Sequence, residues 1–313
     1  MSITFLLAFE WDCKSLKLLK VRVKFPTLAQ PARMGHPASL RAYGPGVHES
    51  VMAASTHALL LRGFTIPNED YYASEISSNA SAYPLQEIDT FFAALRIAAS
   101  VDTGYAQLIL CPWDWARSYC AHLPYLEGTS IRKYPYWFED FYWNKPVPTI
   151  SITETKRAAE LFAKLRAAFN KPEGNKLLLA TQRLNSCFLR ENEQDTILDA
   201  TIAMELLLSD DEGTEITHKL AMRMAALSML AEDFPHDPLT VFRNVKQIYG
   251  FRSGVVHGDS KKALRKREIT VQEQKKIPTV KVAIDYIRMT LSVLLDHPKY
   301  LAVPAIDESL LLK

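Results

Sequence analysis

The residues best suited to chemistry lie in one short segment, residues 247–259, where an arginine, a serine and a histidine occur close together. Arg252 is followed directly by Ser253, and His257 comes later in the same segment. A histidine has an ordinary pKa of about 6.5 and can donate or accept a proton at neutral pH. An arginine stays charged and presents a planar set of donors to anionic oxygens. The segment therefore predicts general acid–base chemistry on an anionic group.

A helix must position these side chains. Apolar periodicity predicts one from about residue 239 to 257, with Gly258 placed to end it. Ser253 and His257 are separated by about 40° around the helix axis, so their side chains share a face. Arg252 lies about 140° from His257 and reaches the same site only through its long side chain or a local distortion. The negative end of the helix dipole favours a charged His257, which suits the role of acid.

The whole second half of the chain has helical periodicity from Ser151 onward. Thr153 is expected to cap the first helix, and prolines and glycines separate the helices that follow. The predicted helices are 154–169, 176–190, 195–208, 215–230, 239–257 and 280–295.

Three stretches of this half together resemble the HEPN superfamily, most closely its Apea-like HEPN family. An acidic I-L-D…E-x-L-L helix occurs at residues 196–208, a K-L-A-x-R stretch at 219–223, and a Y-x-x-R-S-x-x-V-H-G stretch at 249–258. The three follow one another in the family's order, which is more specific than the spacing of Arg252 and His257 alone. The resemblance covers residues 155–297, about half of the chain.

The resemblance implies a C-terminal all-α HEPN helical bundle that acts as a metal-independent endoribonuclease and leaves a 2′,3′-cyclic phosphate. It implies a homodimer whose composite active site takes Arg252 and His257 from each protomer, with Ser253 assisting by a hydrogen bond. Two histidines then serve as base and acid, which a single histidine cannot easily do. Such ribonucleases are often toxins or antiphage, abortive-infection effectors, so an antitoxin or a trigger protein is a further expected partner. No cofactor or metal is expected.

Two residues are expected to support the site. Glu205 lies mid-helix among apolar residues, and a carboxylate on a buried face usually needs a partner. We expect Glu205 to orient Arg252 or Arg223, with a plain surface glutamate as the alternative. Tyr249, the tyrosine of the third stretch, is given the same supporting role.

A run of basic residues follows directly after the motif. It is expected to hold the RNA backbone by attraction that does not depend on sequence, and a solvated charged loop is the alternative. The residues assigned to RNA binding are Lys261, Lys262, Arg265, Lys266 and Arg267.

Composition narrows the classes of protein. The chain has 313 residues and a formal net charge of +2, which excludes a strongly basic nucleic-acid coat. The phosphate-binding glycine loop, the dinucleotide fingerprint, H-E-x-x-H and G-x-S-x-G are all absent from the sequence. The 4 cysteines have no C-x-x-C spacing. The apolar run at residues 3–9 is too short for a membrane span. We therefore expect a cytoplasmic protein with no membrane partner.

The first half has a different composition, since all 5 tryptophans lie before residue 150. We predict an α+β protein overall, with a mixed α/β N-terminal domain at 1–150 and the helical HEPN domain at 151–313. The N-terminal domain would be a sensor or a substrate selector. Its predicted elements are strands at 16–25 and 107–111, helices at 48–63 and 85–99, a loop at 26–45 and a linker at 145–148.

Other interpretations stay open at this point. Arg252 could pair with Glu205 or Asp199 and lock two helices together, while His257 caps a helix end. A HEPN domain can also act as a non-catalytic dimerisation or RNA-binding protein. A nucleotidyl-transfer partner or its antitoxin is a third interpretation, although the G-S-x(9–12)-D-x-D motif of nucleotidyltransferases is not found.

Overall fold

The computed structural model describes residues 4–9, 17–19, 51, 57–61, 79–110, 127–139, 149–210, 215–270 and 276–312. Contacts divide the chain into two compact units. The first, called the sheet unit, comprises Met1–Ile88 and Asp102–Ile150. The second, called the helical unit, comprises Asp89–Val101 and Ser151–Lys313.

The sheet unit is built on a 5-stranded sheet with the strand order β2-β3-β1-β4-β5. The strands are β1 (Thr4–Phe9), β2 (Lys17–Leu19), β3 (His57–Leu61), β4 (Gly104–Leu110) and β5 (Glu127–Lys133). The three central strands are parallel, and each edge strand is antiparallel to its neighbour. The sheet is therefore mixed, and its parallel neighbours need crossover connections, whereas its antiparallel neighbours do not.

The structure confirms the predicted helix at 85–99, and the short apolar run predicted at 107–111 is a strand over its described residues, as part of β4. The helix predicted over 48–63 is wrong for His57–Leu61, which forms β3. A short apolar run of this kind suits a buried parallel strand, and periodicity alone cannot distinguish it from a helix. Of the strand predicted at 16–25, Lys17–Leu19 is confirmed. The rest of that strand, the loop at 26–45 and the linker at 145–148 lie outside the described residues.

Helices dominate the second unit, and the described part of the chain is α+β overall. The helices are α1 (Leu85–Ala99), α2 (Ile152–Phe169), α3 (Gly174–Leu189), α4 (Glu193–Leu208), α5 (Ile216–Ser228), α6 (Pro238–Val256), α7 (Ser260–Lys266), α8 (Thr279–Asp296) and α9 (Val303–Ile306). Two short antiparallel strands, β6 (Glu268–Thr270) and β7 (Lys276–Pro278), lie between α7 and α8. No helix among the described residues is long and apolar enough to cross a membrane.

The helices predicted in the second half agree with α2 to α6 and α8 within a few residues at each end. The predicted cap of the first is wrong, because Ser151 rather than Thr153 begins α2. The Ser151 hydroxyl accepts from the backbone N–H of Glu154, and the Glu154 carboxylate accepts from the backbone N–H of Ser151. This reciprocal pair is a capping box, and its S-x-x-E pattern is visible in the sequence.

Helix α4 is surrounded by other helices, packing against α3, α5, α6 and α8. Its buried residues lie on several faces and include Asp199, which is only 3% exposed. The Asp199 carboxylate accepts hydrogen bonds from Arg183 at 2.8 Å and from Arg190 at 2.9 Å. A buried carboxylate needs hydrogen-bond donors and an opposite charge, and these two arginines provide both to Asp199.

Helix α1 begins in the sheet unit, and its residues from Asp89 onward belong to the helical unit. Arg288 of α8 donates to the carbonyl oxygens of Arg96 at 2.6 Å and of Ile97 at 3.0 Å. These carbonyls lie in the last turn of α1, where intrahelical donors run out, although the backbone N–H of Ser100 also donates to the carbonyl of Arg96 at 3.0 Å. Arg288 therefore caps the C-terminal end of α1 from another helix.

Replacing Arg288 with methionine tests this cap. Arg288→Met introduces an apolar side chain of similar length and removes both hydrogen-bond donors to α1. We therefore expect the free energy of unfolding to fall by about 1–3 kcal/mol. Arg265→Met, at an exposed position on α7, is the matched control and should change it by less than about 0.5 kcal/mol. Urea unfolding followed by circular dichroism measures both. Equal losses in the two variants would contradict the capping role.

Candidate active site at the end of helix α6

Helix α6 brings the predicted motif to its C-terminal end. The helix begins after Asp237, whose carboxylate accepts from the backbone N–H of Thr240 at 3.0 Å. It ends at His257, whose backbone N–H donates to the carbonyl of Ser253 at 3.1 Å. Gly258 follows with a φ of 67°, the left-handed conformation expected of a helix-ending glycine. His257 is exposed at this end.

Arg252 is half-buried and only partly engaged by the protein. Its side chain is 37% exposed, and its Nη2 lies 3.8 Å from Oε1 of Glu205. That distance allows an ion pair but is too long for a hydrogen bond. The Nε atom of Arg252 is buried and has no hydrogen-bond partner within the described part of the chain. Because the side chain is 37% exposed, its terminal nitrogens, rather than the buried Nε, are the donors that an anionic oxygen could reach.

Tyr249 fixes the carboxylate that faces Arg252. Its hydroxyl donates to Oε1 of Glu205 at 3.3 Å and lies 3.5 Å from the carbonyl of Thr201. Burial is the main cause that raises the pKa of Tyr249, and the negative charge of Glu205 is the next largest. The phenol thus stays protonated and remains a donor to Glu205. The structure brings together Glu205, Tyr249 and Arg252.

Arg223, the other expected partner of Glu205, binds elsewhere. Its guanidinium donates to the carboxylates of Asp210 and Asp307 and to the carbonyl of Leu208. Sequence reasoning missed both of these aspartates. Lys219 and Arg223, the two cations of the K-L-A-x-R stretch, need acidic partners. Asp210 follows α4 closely, so a search of the sequence for such partners could have identified it. Nothing local in the sequence points to Asp307, which is 84 positions away from Arg223.

The interpretation that pairs Arg252 with Asp199 is wrong. Both carboxylate oxygens of Asp199 already accept from Arg183 and Arg190, at 2.8 and 2.9 Å. The interpretation that pairs Arg252 with Glu205 agrees with the observed ion pair.

Helix α7 packs back against α6 through a very close approach at Gly254. A Cβ atom placed on Gly254 would lie 2.6 Å from the backbone nitrogen of Ala263, closer than such atoms ever come. One turn earlier, Gly250 faces the aliphatic stem of Lys266 at an ordinary 3.7 Å. Only glycine permits the contact at residue 254. Residues 260–266 form a helix rather than a loop, and the alternative of simple solvated charge stays open because Lys261 and Arg265 are exposed.

The residues assigned to RNA binding lie in different surroundings. Lys261 and Arg265 are exposed and four positions apart on α7, so they share a face. Lys266 is half-buried. The Nε of Arg267 donates to Glu193 at 2.6 Å, which offsets its charge. The side chain of Lys262 lies outside the described residues.

Comparisons with known proteins give no relative. No family model, no curated protein and no solved structure matches the chain. The resemblance to the HEPN superfamily stays a prediction that rests on the three stretches of sequence. Within the described ranges, no group of three or more His, Cys, Asp or Glu side chains could hold a metal ion.

The two glycines of α6 provide a matched pair of variants. Gly254→Ala should lower the free energy of unfolding by about 1–3 kcal/mol, because the new methyl group collides with the backbone of α7. Gly250→Ala has room for its methyl group and should be neutral or stabilising by up to about 1 kcal/mol, since alanine favours helix. Urea unfolding measures both changes. Similar losses in the two variants would show that the contact at Gly254 is not tight.

The ion pair of Asp210 predicts a pH dependence of stability. The hydrogen bond from Arg223 lowers the pKa of Asp210 in the folded protein. Such a carboxyl stabilises the fold at pH above its unfolded pKa of about 3.9, and this contribution is lost as the pH falls through the folded value. Unfolding free energies of wild type and Asp210→Asn should therefore differ most near neutral pH and converge in acid. A difference that stays constant with pH would rule out this linkage.

Proposed function

We propose that this protein is a metal-independent endoribonuclease that cleaves RNA by general acid–base catalysis through Arg252 and His257. The observation that carries the proposal is the partial engagement of Arg252, whose side chain is 37% exposed and whose Nη2 lies 3.8 Å from Glu205, beyond hydrogen-bond distance. An arginine that only locks helices together is better satisfied, as Arg223 is by three acceptor groups. The exposed His257 ends the same helix.

The chemistry follows from the bonds that change. A base removes the proton of the ribose 2′-hydroxyl, the 2′-oxygen attacks phosphorus, and the bond from phosphorus to the 5′-oxygen breaks. An acid protonates the departing 5′-oxygen, which leaves a 2′,3′-cyclic phosphate and a 5′-hydroxyl. Arg252 supplies positive charge and donors for the extra negative charge on the phosphorane. His257 supplies proton transfer, and Ser253 assists by a hydrogen bond.

One histidine cannot easily be both base and acid, so the proposal includes a homodimer with a composite site. Two apolar side chains on this surface support it. Val256, beside His257, is 53% exposed, and Leu264 on α7 is 71% exposed. The two side chains belong to α6 and α7, which pack against each other, and a contiguous exposed apolar patch is typical of a surface that a partner covers. In this proposal the helical unit is a HEPN bundle that pairs with a second copy.

Helix α7 would hold the RNA backbone beside the site. Lys261 and Arg265 are exposed on one face of α7, and the contact at Gly254 fixes that helix against α6. The sheet unit would select the substrate or sense a trigger. A cytoplasmic toxin or antiphage effector, restrained by an antitoxin or awaiting a trigger protein, is the biological role that we propose for this activity.

A non-catalytic HEPN dimerisation or RNA-binding protein is the second candidate function. The ion pair between Arg252 and Glu205 favours it, because that contact also joins α6 to α4. Under this alternative the protein binds RNA and leaves it intact.

Cleavage of total RNA in the presence of EDTA tests the proposal. His257→Ala and Arg252→Ala should each lower the rate by about a hundredfold or more, since each removes a group acting in the transition state. His297→Ala and Arg243→Ala are matched controls: His297 ends α8 as His257 ends α6, and Arg243 is exposed on α6. Mass spectrometry should find 2′,3′-cyclic phosphate ends.

Equal activity in the wild type and all four variants would remove the assignment. RNA binding without cleavage by the wild type would instead favour the second candidate function.

A further inference from the structure

An ionic cluster around one buried arginine joins the C-terminal segment of the chain to the last turn of α4. At its centre is Arg223 of α5, whose side chain is 5% exposed. Its Nε and Nη2 donate to the carboxylate of Asp307 at 2.8 and 2.6 Å, and Nη1 donates to the carbonyl of Leu208 at 2.8 Å. Nη2 also donates to Asp210 at 2.6 Å, and Lys219 lies 3.3 Å from the same carboxylate. The two cations and two carboxylates balance in charge.

Asp307 supplies a large part of this cluster. It begins a short π-helical turn, Asp307–Leu311, that follows α9. A buried guanidinium is costly unless its charge and its donors are all matched. Without the Asp307 carboxylate, Nε of Arg223 would lose its acceptor, and only Asp210 would oppose the charge.

The cluster acts on the same helical turn that carries Glu205. Leu208, whose carbonyl Arg223 binds, is the last residue of α4, and Glu205 lies in that last turn. Ser209 ends the helix, and its backbone N–H donates to the carbonyl of Glu205 at 2.9 Å. The Ser209 hydroxyl donates to the same carbonyl. Arg223 therefore holds the backbone of this turn while Tyr249 holds the Glu205 side chain.

We propose that Asp307 and Arg223 are positioning residues for Arg252. The contacts run from Asp307 to Arg223, then to the last turn of α4, then from Glu205 to Arg252. Loss of the Asp307 carboxylate releases this turn, so Glu205 moves and Arg252 loses its orientation toward the phosphate. The inference rests on the proposed ribonuclease function. Lys261 and Arg265 lie outside this series of contacts. Loss of the Asp307 carboxylate therefore affects the cleavage step rather than RNA binding.

Asp307→Asn in the full chain tests the proposal, with Asp296→Asn as the matched control. The two carboxylates are 33% and 32% exposed, and each pairs with an arginine. Asp296 pairs with Arg157 and Lys164 of α2, away from the last turn of α4. Asp307→Asn should lower kcat for RNA cleavage about tenfold, as a small misplacement of a catalytic group does, and leave KM unchanged. Asp296→Asn should leave both constants unchanged, although both variants lower Tm.

A second readout does not depend on catalysis. The side-chain Nε–H resonance of Arg252, assigned in NMR spectra with Arg252→Lys, should shift in Asp307→Asn and stay in place in Asp296→Asn. If the wild type cleaves no RNA, the proposed function fails, and this resonance alone decides whether Asp307 positions Arg252. An unchanged kcat and an unshifted resonance in Asp307→Asn would overturn the positioning role. If Asp307→Asn does not fold, Asp307→Glu, which keeps the charge but displaces it, should still shift the resonance.

Discussion

The ion pair between Glu205 and Arg252 is the interaction on which the candidate site depends. Glu205 belongs to α4, a helix that packs against four others, and its half-buried side chain is 30% exposed, so a donor and a cation stabilise its charge. Tyr249 provides the donor and Arg252 provides the cation, both from α6. At 3.8 Å the pair is close enough to orient the guanidinium and loose enough to leave it donors for another anion. The same contact thus joins α4 to α6 and keeps the arginine available.

A second constraint is the lack of a side chain at Gly254. The backbone of α7 occupies the space that a Cβ would need, so α7 can lie directly against the end of α6. Without this approach, the basic residues after the motif would have no fixed position relative to His257. The glycine therefore links a packing requirement to the electrostatics of the surface around the site.

Much of this arrangement is local in sequence and could be predicted from it. Helices α2 to α6 and α8 follow from apolar periodicity, and a carboxylate among apolar residues indicates that Glu205 has a cationic partner, for which the sequence offers Arg252 or Arg223. His57–Leu61 could not be assigned, because a short apolar run fits a strand and a helix equally well. The contact of Arg223 with Asp307 could not be predicted either, since the two residues are 84 positions apart and no local pattern links them. The fold class was predictable, whereas the partners of buried charges were determined by tertiary packing.

The cap on α1 has a consequence for the order in which the chain assembles. The carbonyl of Arg96 and the guanidinium of Arg288 are 192 positions apart. On the ribosome, α1 is therefore made long before the helix that caps it, although α2 and α3, which contact α1 through Phe162 and Asn185, are made earlier. The two hydrogen bonds from Arg288 can form only once α8 has been synthesised, so this end of α1 is completed late in translation.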